Sequence, residues 1–144
     1  MKENILKSIA ILSLFFFFTC NKETIAPFAH IVGDWECKQT YKSFLGDSSV
    51  ATIVGNLNLT FAQNGTGFST VNGVKDSLVW SYNEAQNEID VRIKIYEPPV
   101  VSFTTYPFSI IENKPISQKW SYYQSYLSTG KVRKFITQWD LTKK

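Results

Sequence analysis

Histidine and cysteine are almost missing from this chain, which carries one histidine, His30, and two cysteines, Cys20 and Cys37. A His/Cys metal centre needs three or four ligands at close spacing, and this inventory cannot supply them. Nucleophilic catalysis through a histidine base would have to use His30, which precedes the first patterned segment. No Gly-x-Ser-x-Gly turn occurs. The acidic residues fall in turns or on polar faces, where carboxylates are usually just solvated. The expectation is therefore a protein that is not an enzyme, with no catalytic residue, no metal and no cofactor. Excess charge of one sign is also lacking. The formal net charge is +3 and the basic residues are scattered, so no stripe exists for nucleic acid. There is no low-complexity tract and no internal repeat. No apolar run reaches the roughly 18–20 residues that cross a bilayer as a helix.

What is present begins with the leader. Lys2 and Lys7 give a basic start, Ser8 to Phe18 an apolar block, and Thr19-Cys20 follows. A short apolar run at the extreme N-terminus reads as an export signal. Phe17-Phe18-Thr19-Cys20 resembles a lipobox of the relaxed kind found in Bacteroidota. Phe17 stands where Leu is commoner, and Thr19 where Gly, Ala or Ser is commoner. That resemblance implies a signal peptide over residues 1–19, lipidation of Cys20 by acyl chains such as palmitate, and a location on the bacterial cell envelope, at the outer membrane. The membrane would then be the first partner, held through acyl chains worth about 0.8 kcal/mol per buried methylene. Secretion without lipidation is the alternative. Residues 20–29 read as a tether, where Pro27 discourages a helix.

Loss of residues 1–19 removes Lys2, Lys7 and Glu3 and lowers the formal charge by one. The remaining chain is one domain long, residues 30–144, and large enough to bury about two-thirds of its unfolded surface. With Cys20 acylated, Cys37 has no disulfide partner and reads as a small buried apolar residue.

The domain is written in strands, with period-2 alternation punctuated by turn residues. Trp35, Cys37, Gln39 and Tyr41 share one face of the first. Ile53, Leu57, Leu59 and Phe61 share a face of the next, which ends at Asn64-Gly65. A two-residue type I′ turn there places Phe61 opposite Phe68. Asn72-Gly73 marks another turn. Leu78, Trp80 and Tyr82 follow, then Ile89, Val91, Ile93 and Ile95. Glu97-Pro98-Pro99 ends that strand. Val100 to Pro107 reads as a long connection, with a strand around Phe108 to Ile111. The last hairpin turns at Thr129-Gly130 and pairs Trp120 with Trp139, Tyr122 with Thr137 and Tyr126 with Arg133. About eight antiparallel strands, each with one apolar face, are satisfied by an up-and-down barrel, which also removes exposed edges. A two-sheet sandwich fits the same pattern.

Ile31-Val32-Gly33-Asp34-Trp35 matches the Gly-x-Trp signature at the start of a first barrel strand. With Leu57 to Phe68 and the strands around Trp80 and Ile89, the chain resembles the lipocalin-like domains of small bacterial lipoproteins. The resemblance implies that Gly33 allows a close approach and that Trp35 plugs the closed end. It also implies a basic residue near the end of the last strand, packed over that ring. Arg133 is too far from the end for this, and Lys143 has the right parity.

The strand order brings Trp35, Trp120 and Trp139 together with Leu141 at one end as a barrel-closing cluster. The other end is bounded by residues 43–52, 72–77, 97–107 and 128–131. Its inward residues are expected to be Tyr41, Ile53, Leu78, Ile95, Phe108, Tyr126 and Arg133, a candidate pocket for a small apolar or amphipathic ligand. Arg133 could fork onto an anionic head. Simple packing of these residues is the alternative. The other functional class is protein recognition in an envelope complex, through Phe103 and Tyr106 of the 97–107 segment. The sequence identifies no particular protein partner. Asp76-Ser77-Leu78 also matches the short O-glycosylation pattern of Bacteroidota envelope proteins.

Overall fold

The computed structural model describes residues 27–97 and 100–144, with residues 27, 95–97 and 100–102 described by backbone alone. The signal peptide and Cys20 lie outside the described residues. A five-residue helix, α1 (Pro27–Ile31), leads into eight strands. These are β1 (Gly33–Leu45), β2 (Ser48–Phe61), β3 (Thr66–Val71), β4 (Val74–Asn83), β5 (Glu88–Glu97), β6 (Val100–Asn113), β7 (Ser117–Ser128) and β8 (Lys131–Lys143). Each strand pairs antiparallel with the next and β8 returns to β1, so the sheet closes as an up-and-down barrel.

The alternation read from the sequence fixes which face goes inward. Trp35, Leu59, Phe61, Trp80, Ile89, Val91, Trp120, Trp139 and Leu141 are all buried in one core. Burial of each such side chain contributes about 1.5–3 kcal/mol. Two turns form as expected. Asn72-Gly73 and Thr129-Gly130 have positive φ at both positions, as a type I′ turn requires. The second sets the register of Trp120 on Trp139, Tyr122 on Thr137 and Tyr126 on Arg133.

Four local readings are corrected. The tether gives way to α1 at Pro27, because proline is accepted at the first position of a helix, where its missing N–H would be unpaired anyway. The Asn64-Gly65 turn is a longer loop. Only Gly65 has positive φ, and the Gly65 N–H bonds to the Ala62 carbonyl at 3.1 Å. Phe61 therefore faces Gly67, and Phe68 pairs with Thr60 and is exposed. Residues 43–52 are not a connection, since β1 and β2 continue to the two-residue turn Gly46-Asp47. Val100 to Pro107 is strand, paired along β5 from Glu97↔Val100 to Asp90↔Pro107. Pro107 is tolerated because the ladder between β6 and β7 begins only at Ser109.

That last ladder shows how the barrel is shaped. β6 meets β7 only from Ser109 to Asn113, and β2 meets β3 only from Asn58 to Phe61. The lower half is thus a closed ring. Above it, β7, β8, β1 and β2 continue together as one wall, and the β5–β6 hairpin rises as a separate arm.

Gly67 sits at the tightest point of the ring. A Cβ there would run into the Thr60 carbonyl and lie 2.9 Å from Leu78 Cδ1. Gly67→Ala is expected to cost about 1–3 kcal/mol by overpacking. Gly55, higher on β2, has open space around its Cβ position. Gly55→Ala should be neutral or stabilising by up to about 1 kcal/mol. Urea midpoints of the two variants, at unchanged m, check the contrast.

Candidate functional site

The closed end is built around Trp35, which is fully buried. Its Nε1 donates to the Ile31 carbonyl at 2.8 Å, so the ring holds α1 against the barrel. Lys143 Nζ lies 5.3 Å from the Trp35 ring centroid and donates to the Val32 carbonyl at 3.1 Å. Lys143 thus supplies the basic residue over the indole. Gly33 has φ +135°, and a Cβ on it would meet Lys143 Cε at 2.8 Å. Glycine is needed here both for its backbone and for the lysine stem. Trp120 and Trp139 stack at 6.0 Å between centroids, and Phe61 packs on Trp120. Leu141 is buried in the same cluster. Sequence reasoning left out three members of the plug, Phe28, Trp80 and Gln118, and named Lys143 by parity alone. Phe28 of α1 stacks on Trp80 at 5.1 Å, and Trp80 Nε1 reaches the Ala62 and Thr66 carbonyls. Buried Gln118 bonds Asn113, the Lys114 carbonyl and Trp120 Nε1. Lys143 completes the set.

Two of the expected pocket residues belong to this plug. Leu78 is buried in the ring, and Phe108 packs 4.5 Å from Trp139. They sit lower than expected because β4 already begins at Val74 and β6 at Val100, so each has several strand residues above it. Ile53 has inward parity but is 62% exposed, since β2 has no strand on its far side at that height. Arg133 is exposed beside the Thr129-Gly130 turn. The Ile95 side chain lies outside the described residues. Tyr41 and Tyr126 do come together, each stacked on Phe135, at 5.8 and 5.4 Å. The anionic-head reading of Arg133 is not carried by this geometry, because Arg133 lines neither interior cavity.

Above the plug the lumen is not filled. One cavity of about 650 Å³ runs between β1, β2, the β3–β4 hairpin and the arm, with Leu57, Ser69, Ile93, Tyr106 and Trp139 in its wall. Lys75, Asp76, exposed Ser77 and Lys94 also border it. A second, of about 510 Å³, lies in the slot between β6 and β7, walled by Tyr41, Tyr106, Tyr122, Tyr126, Phe135 and Thr137. Tyr106 borders both. Its phenol is pushed to higher pKa by burial and then by the Tyr122 phenol beside it, so it stays a neutral donor. The second cavity has no charged lining residue. Ser69 and Thr137 are buried polar residues, one in each cavity. Trp139 Nε1 is a buried donor with no hydrogen-bond partner. Leaving such a donor unpaired costs about 1–3 kcal/mol.

Phe103 and Tyr106, expected on a protein-binding loop, are on β6. Phe103 is exposed beneath the Arg92 guanidinium at 4.5 Å, and Tyr106 points its contacts to Phe108 and Tyr122. No group of three or more His, Cys, Asp or Glu side chains converges among the described residues. No family model, curated protein or solved structure matches this chain.

Cys37 is 2% exposed and sits on the inward face of β1. Burial, then the Asp140 carboxylate, pushes its thiol far above the ordinary 9.0. The native state keeps the proton, and an unfolded chain releases it above that value. Stability therefore carries this contribution in full at low pH and loses it as pH rises. Urea midpoints should be flat below about pH 8 and fall above the thiol's ordinary 9.0, and Cys37→Val should flatten the alkaline part of the curve.

Proposed function

We propose that this chain is a lipid-anchored envelope lipoprotein of lipocalin-like fold whose upper lumen takes up a small amphipathic ligand. The single observation that carries the ligand is the unfilled lumen above the plug, a cavity of about 650 Å³ with Leu57, Ile93, Tyr106 and Trp139 in its wall. The stacked rings of Tyr41, Phe135 and Tyr126 and the phenols of Tyr106 and Tyr122 would enclose an apolar body carrying oxygens. Pockets of about 300–1,000 Å³ with apolar walls and a few placed polar groups are the usual form of small-molecule sites. The open slot between β6 and β7 gives such a molecule a lateral entrance.

The protein extracted from its own membrane should release a small molecule in native mass spectrometry. Titration with a monoacylglycerol or with the corresponding fatty acid should quench tryptophan fluorescence saturably. An empty native spectrum together with unsaturable quenching by both lipids would sink the ligand.

The anchor rests on the sequence of the leader. Acyl chains on Cys20 would hold the barrel by its closed end, because α1 enters there, and the cavities would face away from that bilayer. Cells fed a clickable palmitate analogue should label the wild-type chain, and Cys20→Ala should abolish the label and release the protein from membranes. An unlabelled wild-type chain would leave ordinary secretion.

A further inference from the structure

The arm and the wall turn unused backbone edges toward each other across the slot. On β6 the Ile110 N–H bonds to the Asn87 carbonyl, on the β5 side. Backbone groups alternate in direction along a strand, so those of Ser109, Pro107, Thr105 and Phe103 point toward β7. Ser109 is paired with Ser121, so Tyr123, Ser125 and Leu127 of β7 point theirs toward β6. Continuing that register upward would set Pro107 opposite Tyr123, Thr105 opposite Ser125 and Phe103 opposite Leu127. None of these rungs forms. The side chains do not forbid them. From Phe103 to Ser109 and from Ser121 to Ser128 there is no charged residue and no glycine, and Pro107 is the one proline. The arm is not tied on its other side at this height either, since β5 pairs with β4 only between Ile93 and Glu88.

Pro107 stands at the first missing rung. It has no N–H for the Tyr123 carbonyl, and its ring occupies the place of that hydrogen, which keeps the two strands from ladder distance. The short β3–β4 hairpin frees the arm, and Pro107 decides that it stays free on the β7 side. We infer that Pro107 holds the slot open as the lateral entrance to the lumen, and that an N–H at this one position would let β6 zip onto β7 and shut it. Zipping would close the way past Tyr106, Tyr122 and Tyr126 into the cavity of about 510 Å³. This role of Pro107 rests on the reading of the lumen as a small-molecule site. Both readouts of its test work without a ligand, so an empty lumen and a misplaced entrance are separate results.

The test uses the full chain solubilised in mild detergent. Pro107→Thr supplies the N–H and a β-branched side chain. Hydrogen exchange followed by NMR should slow at the Tyr123, Ser125 and Leu127 amides by at least about tenfold. Access is measured in parallel at Thr137→Cys, a position 6% exposed in the wall of the slot cavity, in a Cys37→Val background. Its labelling by N-ethylmaleimide should slow by a similar factor when Pro107→Thr is added. Pro107→Thr with Tyr123→Pro moves the proline to the facing strand at the same rung, and should restore fast exchange at Ser125 and Leu127 and fast labelling. Near-ultraviolet circular dichroism of the buried indoles confirms that each variant is folded. Pro107→Ala, which also carries the N–H, takes the place of Pro107→Thr if that chain does not fold. Unchanged exchange at the three amides overturns the inference. So do protected amides with undiminished labelling, because molecules then reach the lumen by another way. A double variant that stays protected also overturns it, since the missing N–H would not be the cause.

Discussion

The rest of the molecule depends on the burial of Trp35. One indole joins the first strand to the helical turn before it, through the Ile31 carbonyl, and to the last strand, through Lys143. β1 and β8 are the two strands that no hairpin links. Their pairing is the long-range event that closes the sheet, and closing a long loop has an entropic cost that local contacts cannot offset. A large apolar ring at that seam supplies the return, and the lysine stem covers its outer side. The conformation of Gly33 belongs to the same device, since a side chain there would displace Lys143.

From that fixed end the unequal hairpins shape everything above. The β3–β4 hairpin is short, and its turn at Asn72-Gly73 comes level with Leu57 of β2. The β1–β2 and β7–β8 hairpins rise well past it. A barrel with strands of even length would have its upper interior ringed by eight neighbours. This one has a wall and an arm with gaps between them, so the same missing pairs create the slot beside Tyr106 and the bare edge of β2. The gap between β6 and β7 and the unpaired stretch of β2 are two consequences of one mismatch in strand length.

Much of this was legible in the residues. Period-2 alternation located nearly every strand, and two positive-φ turns were announced by Asn-Gly and Thr-Gly. The last of them set the Trp120–Trp139 register that builds the plug. The errors have physical causes. Pro98, Pro99 and Pro107 made residues 100–107 look like a connection, because proline's effect depends on whether its side of the strand is paired, and pairing is not written locally. Phe61 opposite Phe68 was the tidy aromatic pair, yet a four-residue loop ending in a left-handed Gly65 shifted the register and turned Phe68 outward. Once a turn slips by one residue, every side chain beyond it changes face.

The pocket shows the same limit more sharply. Parity told which residues point inward, and Tyr41 and Tyr126 do line the lumen. Parity could not tell height, and height decides whether an inward residue is core, cavity or rim. Leu78, Phe108, Ile53 and Arg133 all have inward parity, and they end as plug, plug, mouth and rim. What sorts them is the number of strands standing around each level, a property of the whole ladder. The chemistry of the lumen follows from that sorting. The apolar residues meant for the pocket fell to the floor, and the tyrosines, threonines and serine above them were left to line it. A site expected to have an apolar wall with hydroxyls and one guanidinium keeps the hydroxyls, loses the guanidinium and, between β6 and β7, is uncharged. Walls of this kind suit rings or chains that stack and oxygens that bond hydroxyls, while Lys75, Asp76 and Lys94 put charge at the border of the larger cavity.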